Sequence, residues 1–393
     1  MLVGIVGKPS CGKSTFFKSA TLAEVDIANY PFTTIKPNHA MGFARIECVD
    51  KEFNKQCNPR TGYCQEHNRF LPIELLDVAG LVPGASEGKG MGSQFLDDLN
   101  QADALIHVID ISGSTNENGE PVEPLSYDPA NDIKFLEKEL DLWYLRIVTK
   151  GWAKFKRQVR TESLELYKAI TTQLSGLGVT EKMSIEVLKE FNPDLEKWTE
   201  EEILLFASKL REASKPMIIA ANKIDVPGAE NNLKRLQEEF PNYKIVPCSA
   251  ESELALREAN KQELISYLPG DQEFTIKGEL NDKQKAALQF IKKNILSKHP
   301  TGIQETLNYA IFNMLDYIAI FPGGVSKLED SKGNVLPDCF LLKNKSTALD
   351  FAFKLHTDLG KNFIRAIDVK TKRTVGKEHP LNHRDVIEII SDK

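Results

Sequence analysis

The segment 7-GKPSCGKST-15 follows the pattern G-x-x-x-x-G-K-[ST], and the chemistry that this spacing serves is capture of a phosphate chain. Capture needs a loop whose backbone N–H groups turn inward, with glycine wherever a Cβ would block the turn or a phosphate. Gly7 and Gly12 meet that demand, and Lys8, Pro9, Ser10 and Cys11 complete the loop between them. Lys13 is spaced to reach β- and γ-phosphates, Ser14 to ligate Mg²⁺, and Thr15 continues the nucleotide-binding run into a helix whose positive end faces the phosphates.

Three further groups extend the chemistry. In 71-LPIELLDVAG-80, Asp77 can hold a Mg²⁺-bound water, and the Gly80 N–H can approach a γ-phosphate because no side chain intervenes. In 216-PMIIAANKID-225, Asn222 and Lys223 precede Asp225, a carboxylate that can accept from both N1–H and the 2-amino group of guanine. Adenine offers no such pair, so GTP is expected over ATP. In 244-KIVPCSA-250, Ser249 and Ala250 can close over the base through backbone contacts. Between the first two groups lies 30-YPFTTIKPN-38, where Thr34 is favoured over Thr33 as a further Mg²⁺ ligand and γ-phosphate sensor. The catalytic set is thus Lys13, Thr34 and Gly80, and the metal set Ser14, Thr34 and Asp77. After Gly80 comes Leu81, where hydrolases of this kind often have a polar residue holding the attacking water, so slow intrinsic turnover is expected.

These groups need a scaffold of parallel strands. Residues 2-LVGIV-6, 71-LPIELLD-77, 104-ALIHVID-110 and 216-PMIIAAN-222 are short apolar runs that read as buried strands, and 13-KSTFFKSA-20 reads as a helix. An α/β nucleotide (G) domain over 1–110 and 216–280 follows. Residues 81–221 exceed one strand–helix–strand step, so 111–215 is read as an inserted helical domain. It opens with the polar loop 111–129, after which Ile133, Leu136, Leu140, Trp143 and Ile147 mark the seam of a helical hairpin or short coiled coil. Residues 281–314 read as connecting helices broken at Pro300–Gly302, packed on the edge of the nucleotide domain. Residues 315–393 read as a small α+β domain with one helix, 348-ALDFAFKLHTDLG-360, capped by Thr347 and stopped at Gly360.

The net charge of −6 excludes nucleic-acid binding driven by a whole-protein field. A local patch remains: Arg146, Lys150, Lys154, Lys156, Arg157 and Arg160, with Trp152 and Phe155, could lie along RNA phosphates and offer stacking surfaces, or form a solvated helix face whose aromatics turn inward. No apolar run is long enough to cross a bilayer, which points to a cytoplasmic protein. The six cysteines fit reduced thiols. Cys57, Cys64 and His67, with Cys48 as a possible fourth, could ligate zinc, but their spacing matches no standard finger and an ordinary polar loop is the preferred reading. Cys11, beside Lys13 and a helix N-terminus, could have a lowered pKa. His107 and His356 are read as structural.

Taken together, GKPSCGKST, ANYPFTTIKPN, DVAGLVPGASEGKGMGSQFL, HVID, NKID and CSAE resemble the Obg-like, translation-factor-class GTPases, especially their YchF-like branch. The C-terminal segment STALDFAFKLHTDLG resembles a TGS domain, a ubiquitin-like module. The resemblance implies a P-loop G domain with an inserted coiled-coil-like helical domain, GTP hydrolysis to GDP with Mg²⁺, and association with ribosomes or RNA. YchF proteins proper replace the last residue of NKxD and look ATP-preferring; this chain keeps Asp225 and is similar to the archaeal and fungal side-branch. Potassium-activated GTPases commonly carry Asn where Ser10 stands here, so direct potassium stimulation is not expected. Two other readings stay open: a nucleotide-gated RNA- or ribosome-binding module with incidental hydrolysis, and an ATPase with relaxed base choice. A monomer is expected.

Overall fold

A computed structural model describes residues 1–21, 38–78, 98–161 and 165–392, without the side chains of 154, 155 and 158–161. Thr34, Gly80 and Leu81 lie outside the described residues. The strands that carry the site form one sheet in the order β2-β4-β1-β5-β6-β7, with β3 paired to β4. In chain order they are β1 (Leu2–Val6), β2 (His39–Glu47), β3 (Tyr63–Gln65), β4 (Asn68–Asp77), β5 (Ala104–Asp110), β6 (Met217–Asn222) and β7 (Ile245–Pro247). β1 is parallel to both β4 and β5, β5 to β6, and β6 to β7. All residues of β1, β5 and β6 are buried, as a parallel sheet covered on both faces requires. Parallel strands end on one side, so the loops after β1, β6 and β7 gather there, beside Asp77 and Val78 at the end of β4.

The chain divides into two compact units. One comprises Met1–Leu22, Pro37–Ala40 and Glu74–Thr306; the other includes Met41–Ile73 and Leu307–Lys393. The helical segment expected as a separate insertion groups with the nucleotide half. Its first helix, α2 (Ala130–Thr161; α1 is Lys13–Thr21), buries Leu136, Leu140, Trp143 and Tyr144 in the same core as Leu2, Val6 and Leu76 of the sheet. The expected seam is buried at Ile133, Leu136, Leu140 and Trp143, but it faces more than one partner. α3 (Leu166–Leu174), α4 (Glu181–Leu188) and α5 (Glu200–Ser214) complete a small bundle instead of a two-helix hairpin, with Ile170, Leu174, Val187, Phe206 and Leu210 in the shared core. The α5 N-terminus has a full capping box between Thr199 and Glu202. α6 (Ala229–Glu239) and α7 (Ala250–Lys261) follow β6 and β7. The connecting helix α8 (Asp282–Ile291) and the wide turns Lys292–Leu296 add Leu288, Ile291, Ile295 and Leu296 to the core formed by Ile219, Ile245 and Leu256.

In the second unit, residues 41–73, which sequence alone assigns to the nucleotide domain, share a core with the C-terminal strands. Ile46, Cys48, Val49 and Leu71 are buried with Ala319, Phe321, Leu336 and Val386. Strands β10 (Tyr317–Pro322), β11 (Phe340–Lys343), β12 (Phe363–Asp368), β13 (Arg373–Val375) and β14 (Val386–Ser391) form a sheet in the order β11-β10-β14-β12-β13; the hairpin β8 (Ile265–Tyr267) and β9 (Phe274–Ile276) belongs to the first unit. The helix expected over 348–360 is two: Ala348–Leu355 and Thr357–Lys361. Thr347 caps the first as expected, but the helix ends at His356 and not at Gly360. His356 is extended (φ −164°), and its Nδ1 accepts from the Asp358 N–H at 3.1 Å, capping the second helix.

Candidate nucleotide site

Built from the loop upward, the site begins where β1 ends. A Cβ on Gly7 would stand 2.5 Å from the Val108 carbonyl oxygen, so β5 lies too close for any side chain. Gly12 has φ +91°, and a Cβ there would stand 2.1 Å from Asn222 Nδ2. Ser10 also takes a left-handed backbone (φ 60°). Turns of this kind aim successive N–H groups at a common point, and α1 starts at Lys13, directly after the loop.

Lys13 Nζ donates to the Val78 carbonyl at 2.7 Å and forms an ion pair with Asp77. The β1–β4 register, which sets Ile5 beside Asp77, makes that pairing possible. Ser14 is exposed in the first turn of α1, with Thr15 half-buried beside it. Lys8, Pro9, Ser10, Gly12, Lys13, Ser14, Thr15, Asn222, Lys223 and Asp225 line one cleft of about 520 Å³, so most of the residues singled out from sequence come together.

The base-side residues are tied to the loop by hydrogen bonds. Asn222 Nδ2 donates to the Cys11 carbonyl at 2.9 Å, and its Oδ1 accepts from the Ala250 N–H at 3.0 Å. Lys223 (φ 64°) directs Nζ to Asp110 Oδ2 at 2.9 Å. Ser249 Oγ donates to Asp225 Oδ1 at 2.7 Å. Ala250 starts α7 and is buried.

Asp110 escaped the sequence reading. It is fully buried at the end of β5 and accepts from Ser112, Ser114, Thr115 and Lys223. Burial pushes its pKa up, but the Ser112 hydroxyl and the Lys223 ammonium outweigh it and hold the carboxyl below its usual range. The signal was present in HVID: an acid at the C-terminal end of a buried strand, followed by Ser112, Ser114 and Thr115. Val226 and Glu251, which also line the cleft, carried no sequence signal.

The Lys8 side chain is engaged within the fold: Nζ donates to the Thr115 carbonyl at 2.8 Å, pairs with Asp132 at 3.0 Å and sits 3.9 Å above the Tyr127 ring. Only its backbone remains for a ligand. Cys11 is fully buried, and burial outweighs the neighbouring Lys13, pushing its thiol up to about 12 instead of lowering it. The same Lys8 network shifts its neighbours. Burial raises Asp132 to about 6 despite the Lys8 ammonium, while burial and then Lys8 lower His107 to about 3.

Along α2, Arg146, Lys150 and Arg157 are exposed, and Lys156 pairs with Glu196 at 3.1 Å. Trp152 is half-buried and packs against the core, 5.3 Å from the Trp198 ring. The side chains of Lys154, Phe155 and Arg160 lie outside the described residues. Among those residues no helix is long and apolar enough to cross a membrane. Cys48, Cys57 and Cys64 come together around Asp50, and His67 reaches Asp50 instead of the thiols.

Over residues 2–140 the chain matches the family described as 50S ribosome-binding GTPase. Residues 220–324 match the Obg-like GTPase YGR210-like, G4 motif-containing domain, and residues 332–391 match the TGS domain. A GTP-binding protein of Methanocaldococcus jannaschii is 47% identical over 391 residues, covering 99% of each chain. The chain belongs to the Obg-like, YchF-type GTPase family. The crystal structure of a GTP-binding protein from Pyrococcus horikoshii aligns over 100% of both chains at 38% identity, with a TM-score of 0.79. A more distant member, the ribosome-binding ATPase YchF of Buchnera aphidicola, is 26% identical over 408 residues and covers 98% of each chain. Within this YchF-type family, the present chain is a P-loop fold with a C-terminal TGS domain.

Proposed function

We propose that this YchF-type protein hydrolyses GTP to GDP and phosphate in the cleft between the 7–15 loop and Asp225. The observation that carries the reading is the double tether of Asn222, which joins the phosphate loop to the loop bearing Ala250 and so brings phosphate-binding and base-selecting groups into one cleft. The Ser249 hydroxyl aims Asp225 as an acceptor for guanine, which supports GTP over the ATP named for the Buchnera relative.

Hard oxygen donors suit Mg²⁺, and Ser14 and Asp77, joined by Thr34, would hold it; the ion would neutralise charge on the phosphates. When nucleotide enters, Lys13 exchanges Asp77 and Val78 for the β- and γ-phosphates, and its ammonium stabilises charge that develops in the transition state. Gly80 supplies a backbone N–H, and Thr34 a backbone group, to orient the water. Leu81 can neither donate nor accept, so turnover alone is slow and a partner completes the site.

Ribosomal RNA is the partner class that fits best. Support comes from the family description at residues 2–140, from Arg146, Lys150 and Arg157 exposed on α2, and from the TGS domain. A cytoplasmic monomer is part of the same proposal.

The test is GTP turnover by wild type and Lys13→Ala, with and without ribosomes, in potassium and in sodium buffers. Equal rates for the two proteins would overturn hydrolysis at this site. Ribosome co-sedimentation that depends on nucleotide even when hydrolysis is blocked would favour the second reading, a nucleotide-gated ribosome-binding module.

A further inference from the structure

The second unit contains a cluster of soft ligands remote in chemistry from nucleotide binding. β2 ends at Glu47, and Cys48 precedes a single helical turn, Val49–Phe53, that closes on Asn54 in a left-handed conformation (φ 50°). The chain then returns so that the Cys57 N–H donates to Asp50 Oδ2 at 2.9 Å. Cys64 arrives on β3, and the turn to β4 places Glu66 and His67 at positive φ (51° and 59°), as a two-residue hairpin requires. The His67 carbonyl accepts from the Cys48 N–H at 2.7 Å, which locks the first cysteine to the hairpin turn.

The distances suit a metal. Zn–S bonds of about 2.3 Å in a tetrahedron separate the ligand atoms by roughly 3.8 Å. Cys48 Sγ and Cys57 Sγ are 3.5 Å apart, Cys64 Sγ lies 3.8 Å from Asp50 Oδ2, and one ligand atom from each of the four residues falls within 4.8 Å of the others. Cys48, Asp50 and Cys57 are buried and Cys64 is half-buried, which describes a closed site and not an open catalytic one.

The surroundings are built for an anionic cluster. Arg69 is fully buried; its guanidinium donates to the Leu336 and Pro337 carbonyls at 3.1 and 2.9 Å and sits 3.5 Å from Cys57 Sγ. A buried cation calls for a negative partner, and a metal-bound thiolate supplies one. Three thiolates and one carboxylate around a divalent ion leave excess negative charge, which Arg69 offsets. His67 Nδ1, 2.9 Å from Asp50 Oδ1, would donate to that oxygen, leaving Oδ2 toward the thiols; outer hydrogen bonds of this kind orient metal ligands.

We propose that Cys48, Cys57, Cys64 and Asp50 form a structural zinc site, with His67 and Arg69 as positioning residues. Thiolate donors select zinc over magnesium or calcium. The irregular spacing that argues against zinc in the sequence arises because the ligands come from a strand end, a loop and a hairpin instead of a compact finger. The ion ties the 48–57 loop to the β3–β4 hairpin, and Arg69 extends that tie to residues 336–337 of the same unit.

The experiment uses the full chain purified under reducing conditions without chelator. Elemental analysis is expected to find one zinc per chain. Replacement by Co²⁺ is expected to give an intense near-ultraviolet thiolate-to-cobalt charge-transfer band and the visible bands of a tetrahedral ion. Cys57→Ser and Cys64→Ser should each lose the metal, whereas Cys339→Ser, which alters a cysteine of the same core outside the ligand set, should keep it. Because a ligand variant can fail to fold, the wild-type cobalt spectrum stands as the independent reading. Zinc far below one per chain together with no charge-transfer band in reduced wild type would overturn the proposal. So would retention of the metal by folded Cys57→Ser, or a Cys48–Cys57 disulfide in the freshly purified protein.

Discussion

Ser249 Oγ donates to Asp225 Oδ1 at 2.7 Å, and Ser252 Oγ lies 2.8 Å from the same hydroxyl. The carboxylate that would read guanine is therefore held by a second loop before any base arrives. Removing the carboxylate forfeits charge-assisted bonds of about 1.5–3 kcal/mol, so Asp225→Ala should weaken GTP roughly ten- to a hundredfold and leave ATP nearly unchanged. Ser249→Ala removes only the orienting bond, about 1 kcal/mol, and should weaken GTP several-fold in the same selective way. Competition binding of GTP against ATP measures both, and a parallel fall in the two nucleotides would refute the assignment.

Asn222 should behave differently from its neighbour. Its two amide atoms serve the Cys11 carbonyl and the Ala250 N–H, both buried. Asn222→Ala leaves those backbone groups without their partner, at about 1–3 kcal/mol each. The expected outcome is weaker binding of GTP, GDP and ATP alike, with a lower melting temperature for the ligand-free protein. Calorimetric titration with the three nucleotides separates this uniform loss from the selective loss at Asp225.

The catalytic role proposed for Lys13 starts from its resting contacts. Bound to Asp77 and Val78, this lysine is already directed at the end of β4. Lys13→Ala removes the ammonium that is proposed to move to the phosphates and should lower GTP turnover about a hundredfold or more under single-turnover conditions. Lys13→Arg retains charge but not the compact ammonium, and should recover only part of the rate.

The candidate nucleotide cleft was legible because its demands are local. A glycine that must approach β5, a lysine after it, and carboxylates at strand ends all leave marks at fixed spacings. Asp110 was missed because its role appears only when β5 and β6 lie side by side and Lys223 reaches across. For Cys11, proximity to Lys13 is visible in sequence, whereas the complete burial that raises its thiol is not. The helix ending at His356 was hidden by a continuous apolar pattern, since Leu355 and Leu359 keep the expected spacing through the break. The allegiance of residues 41–73 depended on which core Ile46, Cys48 and Leu71 would join, and no local spacing encodes that choice.

The last prediction concerns acid stability. His107 lies buried on β5 near Lys8, and its pKa of about 3 in the folded chain stands against 6.5 when exposed. Below pH 6.5 the unfolded chain takes up a proton that the folded chain refuses, so this residue's contribution to stability falls steadily as pH drops toward 3. Asp132, raised to about 6 from 3.8 and paired with Lys8, acts in the opposite direction: the folded chain takes up its proton first as pH falls from 6 toward 4, which adds stability. The two effects overlap, so the informative quantity is the difference between wild type and His107→Leu. Between pH 7 and pH 5 the wild type should lose about 2 kcal/mol more than the variant, from 1.4 kcal/mol for each pH unit below 6.5. Trp143, Trp152 and Trp198 all belong to the same unit as His107, so denaturant titrations followed by intrinsic fluorescence at the two pH values report on it directly. An unchanged difference between the proteins at pH 7 and pH 5 would mean that His107 is not the buried neutral group described.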